Sequence, residues 1–269
     1  MRRSPGGLML IIAGVLFALA VSTWWFQRVA FSPSDDSDVT LSILGDEQIR
    51  GEIATIVASA DAPELNQSPT ELKGFIEEIA RIPAGAALMS DFVNSAHALL
   101  IGQADGPVLI SAEEQVVIVR DERVGQMSPI TLPVQEVGSL SAIDTGAGWL
   151  TLGSLGLGVA ALLVGLILRP ERGEAMFALG ISLATLAGLL VVLGYLVPLL
   201  ALPALSESTW MGVFPRLASH NRNLTLAIAV AALAVGAFVT MSSGRRRERR
   251  QRSTPLSVGR YRDDRSWSR

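Results

Sequence analysis

Long runs without a charged side chain alternate along this chain with segments where charges crowd. Leu8 to Phe26, Ala147 to Leu168, Met176 to about Leu202, and Leu224 to Met241 contain no Asp, Glu, Lys, Arg or His. A bilayer core of about 30 Å takes roughly 20 apolar residues as a helix, so the pattern predicts four transmembrane helices. Trp24, Trp25, Trp149 and Tyr195 fall near their ends, where an amphipathic ring sits half in water. Between the first two runs the apolar positions become periodic. "GDEQIRGEIATIVASA" sets Ile49, Ile53, Ile56, Val57 and Ala60 at helical spacing behind Asp46 as N-cap, although Ile49, Gly51 and Ile53 also alternate as in a strand. "SPTELKGFIEEIARI" predicts a helix with Ser68 as N-cap, Pro69 at its first position and Glu71 completing a capping box. Its apolar face is Leu72, Phe75, Ile76 and Ile79, and Pro83 ends it. A third helix is expected from Ala86 to Ile101, burying Leu88, Phe92, Ala96, Leu99 and Leu100 and ending at Gly102. Then "PVLIS" and "QVVIVR", flanking Ala112 to Glu114, read as a hairpin, with "PITLPV" as a further short strand.

The fold class expected is an α-helical integral membrane protein. Four transmembrane helices, three of them a C-terminal bundle, carry a small extracytoplasmic α+β domain between helices 1 and 2. Charge orients it. The net charge is only −3, but residues 29–146 hold 19 acidic and five basic side chains, whereas residues 245–269 hold ten arginines against three acidic residues. Arg2 and Arg3 precede the first span, Arg169 and Arg172 lie in the short link between the second and third, and "SSGRRRERRQR" follows the fourth. Placing both termini in the cytoplasm puts all of these cations inside, as the positive-inside rule requires. The expected order is a cytoplasmic N-terminus (1–7), helix 1 (8–28), the acidic outside domain (29–146), helix 2 (147–168), a cytoplasmic loop (169–175), helix 3 (176–202), an outside loop (203–223), helix 4 (224–242) and a basic cytoplasmic tail (243–269). "ALA" at Ala18 to Ala20 offers a signal-peptidase cut, but apolar sequence continues through Phe26, which favours an uncleaved helix.

"FVNSAHALLIGQADGPVLIS", Phe92 to Ser111, follows a first span and one outside domain and precedes further spans. In this the chain resembles integral membrane proteins of actinobacteria that carry an alanine–histidine pair in a helix, then a glycine turn and a short strand. Ala96, His97 and Gly102 are the matching positions. The resemblance implies the architecture and an envelope location and supplies no activity, since that family's function is unknown. The fourth span and the arginine tail depart from it.

Candidate chemistry is sparse. With no cysteine, disulfides and thiolate chemistry are excluded. His97 and His220 stand alone, without His-Glu-x-x-His spacing, so no metal site is expected and His97 reads as structural. Asp35, Asp36 and Asp38 lack the glycine and distal glutamate of a calcium loop. Glu77–Glu78, Glu113–Glu114 and Asp121–Glu122 are neighbours that point apart on a regular element. No nucleophile elbow, P-loop or dinucleotide fingerprint occurs, and "GSLGLG" lies inside a span. No catalytic residue and no cofactor are therefore assigned. Inside the membrane the signal is small residues four apart: Ser154 and Gly158, Ala161 and Gly165, then Gly180, Ala184 and Gly188, and Ala232 and Gly236. Such stripes let helix backbones approach closely, within the chain or against a partner. Trp210, Met211 and Phe214 are expected as a segment lying on the outer membrane surface, with a surface docking site as the sharper alternative. Arg245, Arg246, Arg247, Arg249 and Arg250 are expected to meet lipid headgroups, and nucleic acid is not an expected partner. The function expected is a non-enzymatic accessory, scaffold or regulatory subunit of a larger plasma-membrane complex, partnered by lipids and other envelope proteins. The alternative is a transport-associated subunit binding a lipid or envelope precursor.

Overall fold

The computed structural model describes residues 4–34, 36–168, 170 and 172–252. Arg2, Arg3 and Arg169 lie outside the described residues, as do the side chains of Arg172 and of Arg245, Arg246, Arg247, Arg249 and Arg250. Four helices among the described residues are long and apolar enough to cross a membrane: Pro5–Ala30, Gly138–Ile167, Gly173–Ala201 and Arg222–Ser242. The chain is thus an α-helical, multi-pass membrane protein in composition and length.

Helix α1 (Pro5–Ala30) starts at Ser4, whose hydroxyl accepts from the Gly7 amide, with Pro5 in the first turn where its missing N–H costs nothing. The segment after it folds as helices α2 (Ser37–Leu44), α3 (Glu47–Leu65), α4 (Pro69–Ala80), α5 (Pro83–Leu88) and α6 (Ser90–Leu100), strand β1 (Val108–Ile110), helix α7 (Ala112–Val119) and strand β2 (Ile130–Leu132). Helix α8 (Gly138–Ile167) and helix α9 (Arg172–Val191) follow; α9 continues as a π-helical stretch, Val192–Ala201. Helices α10 (Val213–His220) and α11 (Arg222–Arg252) complete the chain.

Local sequence explains most of these limits. Asp46 caps α3 by accepting from the Gln48 and Ile49 amides, and Ile49, Ile53 and Val57 face inward; the helical alternative holds there. Ser68 occupies the N-cap of α4, but its hydroxyl makes no capping bond, and Phe75 on the expected apolar face is 38% exposed. The single helix expected over Ala86–Ile101 is broken at Met89 into α5 and α6. Met89 turns fully inward there, and Leu88, expected to be buried, is 38% exposed. Gly102, at φ +73°, ends the second piece, a backbone conformation that a side chain would strain.

The hairpin is a larger correction. "QVVIV" is helical, and β1 pairs instead with β2, antiparallel, with Leu109 opposite Thr131. Ser111 and Glu114 form a reciprocal capping box: the Ser111 hydroxyl accepts from the Glu114 amide (3.2 Å) while Glu114 accepts from the Ser111 amide (2.6 Å). This box, with Ile118 and Val119 buried, outweighs the weak helix preference of the four β-branched residues Val116, Val117, Ile118 and Val119, a few tenths of a kcal/mol each. Ser111→Ala is expected to lower unfolding stability by about 1 kcal/mol, measurable by thermal denaturation in detergent; an unchanged midpoint would sink that account. The segment between α1 and α8 is therefore mainly helical, with strand limited to two three-residue pieces.

The spanning helices do not form a bundle of the last three. α8 packs along α1, α9 packs along another side of α1, and α11 packs on α9, giving the row α8–α1–α9–α11. The N-terminal helix is the hub. Above the row, one continuous core joins the ends of the spanning helices to the intervening domain. It runs from Phe26, Ala30 and Phe31 through Ile53, Ile76, Phe92 and Leu100 to Leu202, Trp210 and Phe214.

Candidate functional site

Two places gather the side chains that could matter: the junction of the domain with the spanning helices, and the seams between those helices. At the junction, α1 leaves its last carbonyls without intrahelical partners, as any helix must. The domain supplies them. His97 Nε2 on α6 donates to the Ala30 carbonyl (3.0 Å), and Gln103 Nε2, just past α6, donates to the Phe31 carbonyl (2.9 Å). Gln27 donates to both the backbone and the carboxylate of Asp144 on α8 (3.0 and 2.9 Å), and Gln103 donates to the other carboxylate oxygen (3.1 Å). α1, α6 and α8 are thereby clamped by one carboxylate and two amides. The His97 ring stands edge-on to Phe214 of α10 at 6.1 Å, and burial pushes its pKa down to about 4, with the Ala30 bond pulling the other way. His97 is thus neutral and structural in placement.

α10 docks onto the same junction. Arg216 pairs with Asp46, the cap of α3, at 3.4 Å, and Ser42 on α2 donates to the Arg216 carbonyl (3.1 Å). Trp210, Met211 and Phe214 are 1%, 2% and 0% exposed. The expectation of a docking segment on the membrane surface is therefore corrected. These apolar residues follow a span closely, but they enter the core that joins the domain to the ends of the spanning helices, with the Phe214 ring 6.1 Å from that of Phe31.

Polar ties also join the spanning helices. The Thr23 and Thr151 hydroxyls bond across α1 and α8 (2.8 Å), and Trp25 Nε1 donates to Thr225 on α11 (3.0 Å), reaching past Gly194. Near the start of α1, the Ser4 amide donates to Glu174 on α9 (3.0 Å), and the Ser4 hydroxyl donates to the same carboxylate. Removing the Trp25–Thr225 bond through Trp25→Phe and Thr225→Val, singly and together, is expected to give a coupling energy of about 0.6–2 kcal/mol in a double-mutant cycle of unfolding; zero coupling would remove that tie from the account.

The small-residue stripes divide. Ser154, Gly158 and Gly165 are buried against α1: a methyl added at Gly158 would meet Phe17 at 3.2 Å, and one at Gly165 would meet Leu10 at 3.0 Å. Gly180 and Gly236 face each other, each 2.9 Å from the other's carbonyl oxygen by the same measure, with the Ala184 backbone beside them. Ala161 and Ala232 are half-buried. Gly188 meets nothing among the described residues, and Ala184 is exposed.

Elsewhere, a polar cleft of about 540 Å³ opens between the domain and the α9–α10 connection, with Glu52, Glu136 and Glu207 on its walls. No group of three or more His, Cys, Asp or Glu side chains is placed to hold a metal ion among the described residues. His220 ends α10 and is exposed. Sequence reasoning missed the Gln27–Gln103–Asp144 clamp. These residues follow no periodicity, and the only available signal was their position at span ends, where helix carbonyls need donors. Scans against protein-family models, curated proteins and solved structures find no match to this chain, so its own side chains carry the functional argument.

Proposed function

We infer that this protein is a non-enzymatic accessory or scaffold subunit of a larger plasma-membrane complex. The observation that carries the reading is the open row of spanning helices. α8 and α11 stand at its two ends, each using one side for α1 or α9, and a side chain added at Gly153, Gly156 or Gly188 on the row would meet nothing within 4 Å among the described residues. Glycine weakens a helix, and in a bilayer its use is close approach of a second backbone; a lipid-facing glycine has no such use. Partner helices from another membrane protein are the occupants this arrangement fits. Both termini lie in the cytoplasm in this reading and the acidic domain lies outside, on the strength of the arginine placement and of the resemblance to actinobacterial envelope proteins.

The test is purification of the tagged protein from its native membrane in a gentle detergent, with mass spectrometry of retained proteins and lipids. Stoichiometric partner proteins are the expected result. Recovery of the chain alone would overturn the reading, and recovery with one enriched lipid and no protein would favour the transport-associated alternative. Because the chain lacks cysteine, single cysteines placed at Ser68 and Ser253 report orientation directly. A membrane-impermeant maleimide applied to intact cells should label the first and spare the second.

A further inference from the structure

α8 and α9 each pack on α1 and form no seam with one another. The space they leave is a groove of about 440 Å³, floored by Ala13 and Phe17 of α1 and walled by Leu162 and Leu166 of α8 and Leu179 and Leu183 of α9. Its lining is apolar throughout except for Ser182, and that hydroxyl is already spent on the Ala178 carbonyl of its own helix (2.7 Å). Nothing in the groove asks for a polar ligand. Its volume falls within the roughly 300–1,000 Å³ of ordinary small-molecule sites.

The dimensions choose the occupant. Along α1 the groove runs from Leu10 to Val21, about 17 Å at 1.5 Å per residue. One leaflet of a bilayer core of about 30 Å is about 15 Å deep. The groove therefore covers about one leaflet, on the side of the α1 N-terminus. A partner helix about 10 Å across, on the order of 1,300 Å³ over that length, would stand mostly outside a slot this narrow. A single extended hydrocarbon chain is slender enough.

We propose that this groove binds one acyl chain of a bilayer lipid from the leaflet on the side of the α1 N-terminus. The chain takes the place of the missing α8–α9 seam and completes the packing around α1. The site is independent of the accessory-subunit reading, since it needs only lipid.

The experiment uses the full-length protein in nanodiscs of phosphatidylcholine doped with a phosphatidylcholine carrying a diazirine on its acyl chain. After photolysis, adducts are mapped by mass spectrometry. Adducts are expected to concentrate on the half-buried groove residues Leu162, Leu183 and Leu186, several-fold above the outward-facing Leu157, Val230 and Phe238, which are 64%, 65% and 74% exposed. Ala175→Phe, which narrows the groove where Ala175 lines it, should erase that excess. Val230→Phe, on the outer face of α11, should leave it unchanged. Should Ala175→Phe fail to fold, Leu179→Trp supplies a second narrowing. Even labelling of groove and outer-face positions would overturn the proposal, as would an excess that survives either narrowing.

Discussion

Replacing Asp61 with asparagine is expected to raise the stability of the purified protein by about 3 kcal/mol at neutral pH, and to do almost nothing near pH 4. Asp61 lies on the inner face of α3, is 0% exposed, and neither carboxylate oxygen has a hydrogen-bond partner among the described residues. Burial raises its pKa from 3.8 to about 6. A raised carboxylate pKa means that the folded state holds its proton while the unfolded chain has released it, so stability falls as pH rises from about 4 to about 6. Above that range the full penalty applies, at about 1.4 kcal/mol for each tenfold change in proton affinity. Asparagine keeps the shape and removes the charge. His97 works in the opposite direction. Its pKa falls from 6.5 to about 4 on folding, so as pH drops through that window the unfolded chain takes up a proton that the folded state refuses, and stability is lost. In the native chain the two slopes nearly cancel. In Asp61→Asn the histidine slope stands alone, so the variant's thermal midpoint should fall steeply from pH 6.5 to pH 4 while the native protein's stays nearly flat. A variant less stable than the native protein at neutral pH would refute the assignment of Asp61 as a buried, unpaired charge.

The spanning helices were legible because their signal is composition, which needs no knowledge of neighbours. Which helices touch was not legible. The expectation of a C-terminal trio followed chain order, whereas α1, far away in sequence, is the helix on which α8 and α9 both pack. Similar limits explain the domain. Val116, Ile118 and Val119 favour strand by type, and one capping box at Ser111 and Glu114 turned them helical. The box is readable in the sequence, as its counterpart at Ser68 was, but there the hydroxyl makes no capping bond. Position at a cap is thus more legible than the bond itself. Trp210 and Phe214 illustrate a third limit: an apolar loop beside a span looks the same whether it faces lipid or enters a folded core. The clamp through Gln27, Gln103 and Asp144 joins positions 27, 103 and 144, and no local pattern announces a contact of that range.

The small-residue stripes were half legible, and a pair of substitutions on one helix separates the halves. A Cβ at Gly180 would press on the Thr240 methyl and sit 2.9 Å from the Gly236 carbonyl oxygen, whereas a Cβ at Gly188, eight residues on, meets nothing within 4 Å among the described residues. Gly180→Ala is therefore expected to destabilise the protein by about 1–3 kcal/mol, the range of overpacking in a close-packed interior. Gly188→Ala is expected to be neutral or stabilising by about 0.5–1 kcal/mol, because alanine loses less backbone freedom in a helix. Adding Thr240→Ser to Gly180→Ala should recover part of the loss by removing the methyl. The recovery should be incomplete, because the Gly236 backbone cannot be trimmed away. Thermal unfolding in detergent measures all three, and equal effects at positions 180 and 188 would show that α9 and α11 do not meet where the structure brings them together. The same contrast reaches function. Gly188→Leu should leave the isolated protein folded, since its surroundings are open. If a partner helix uses that face, the substitution should strip the partner from the native complex, an outcome that loss of folding cannot imitate because the midpoint of the purified variant reports it separately. Retention of every co-purifying protein by Gly188→Leu would rule out this face of α9 as the docking surface and leave the outer side of α8, with Gly153 and Gly156, as the one to test.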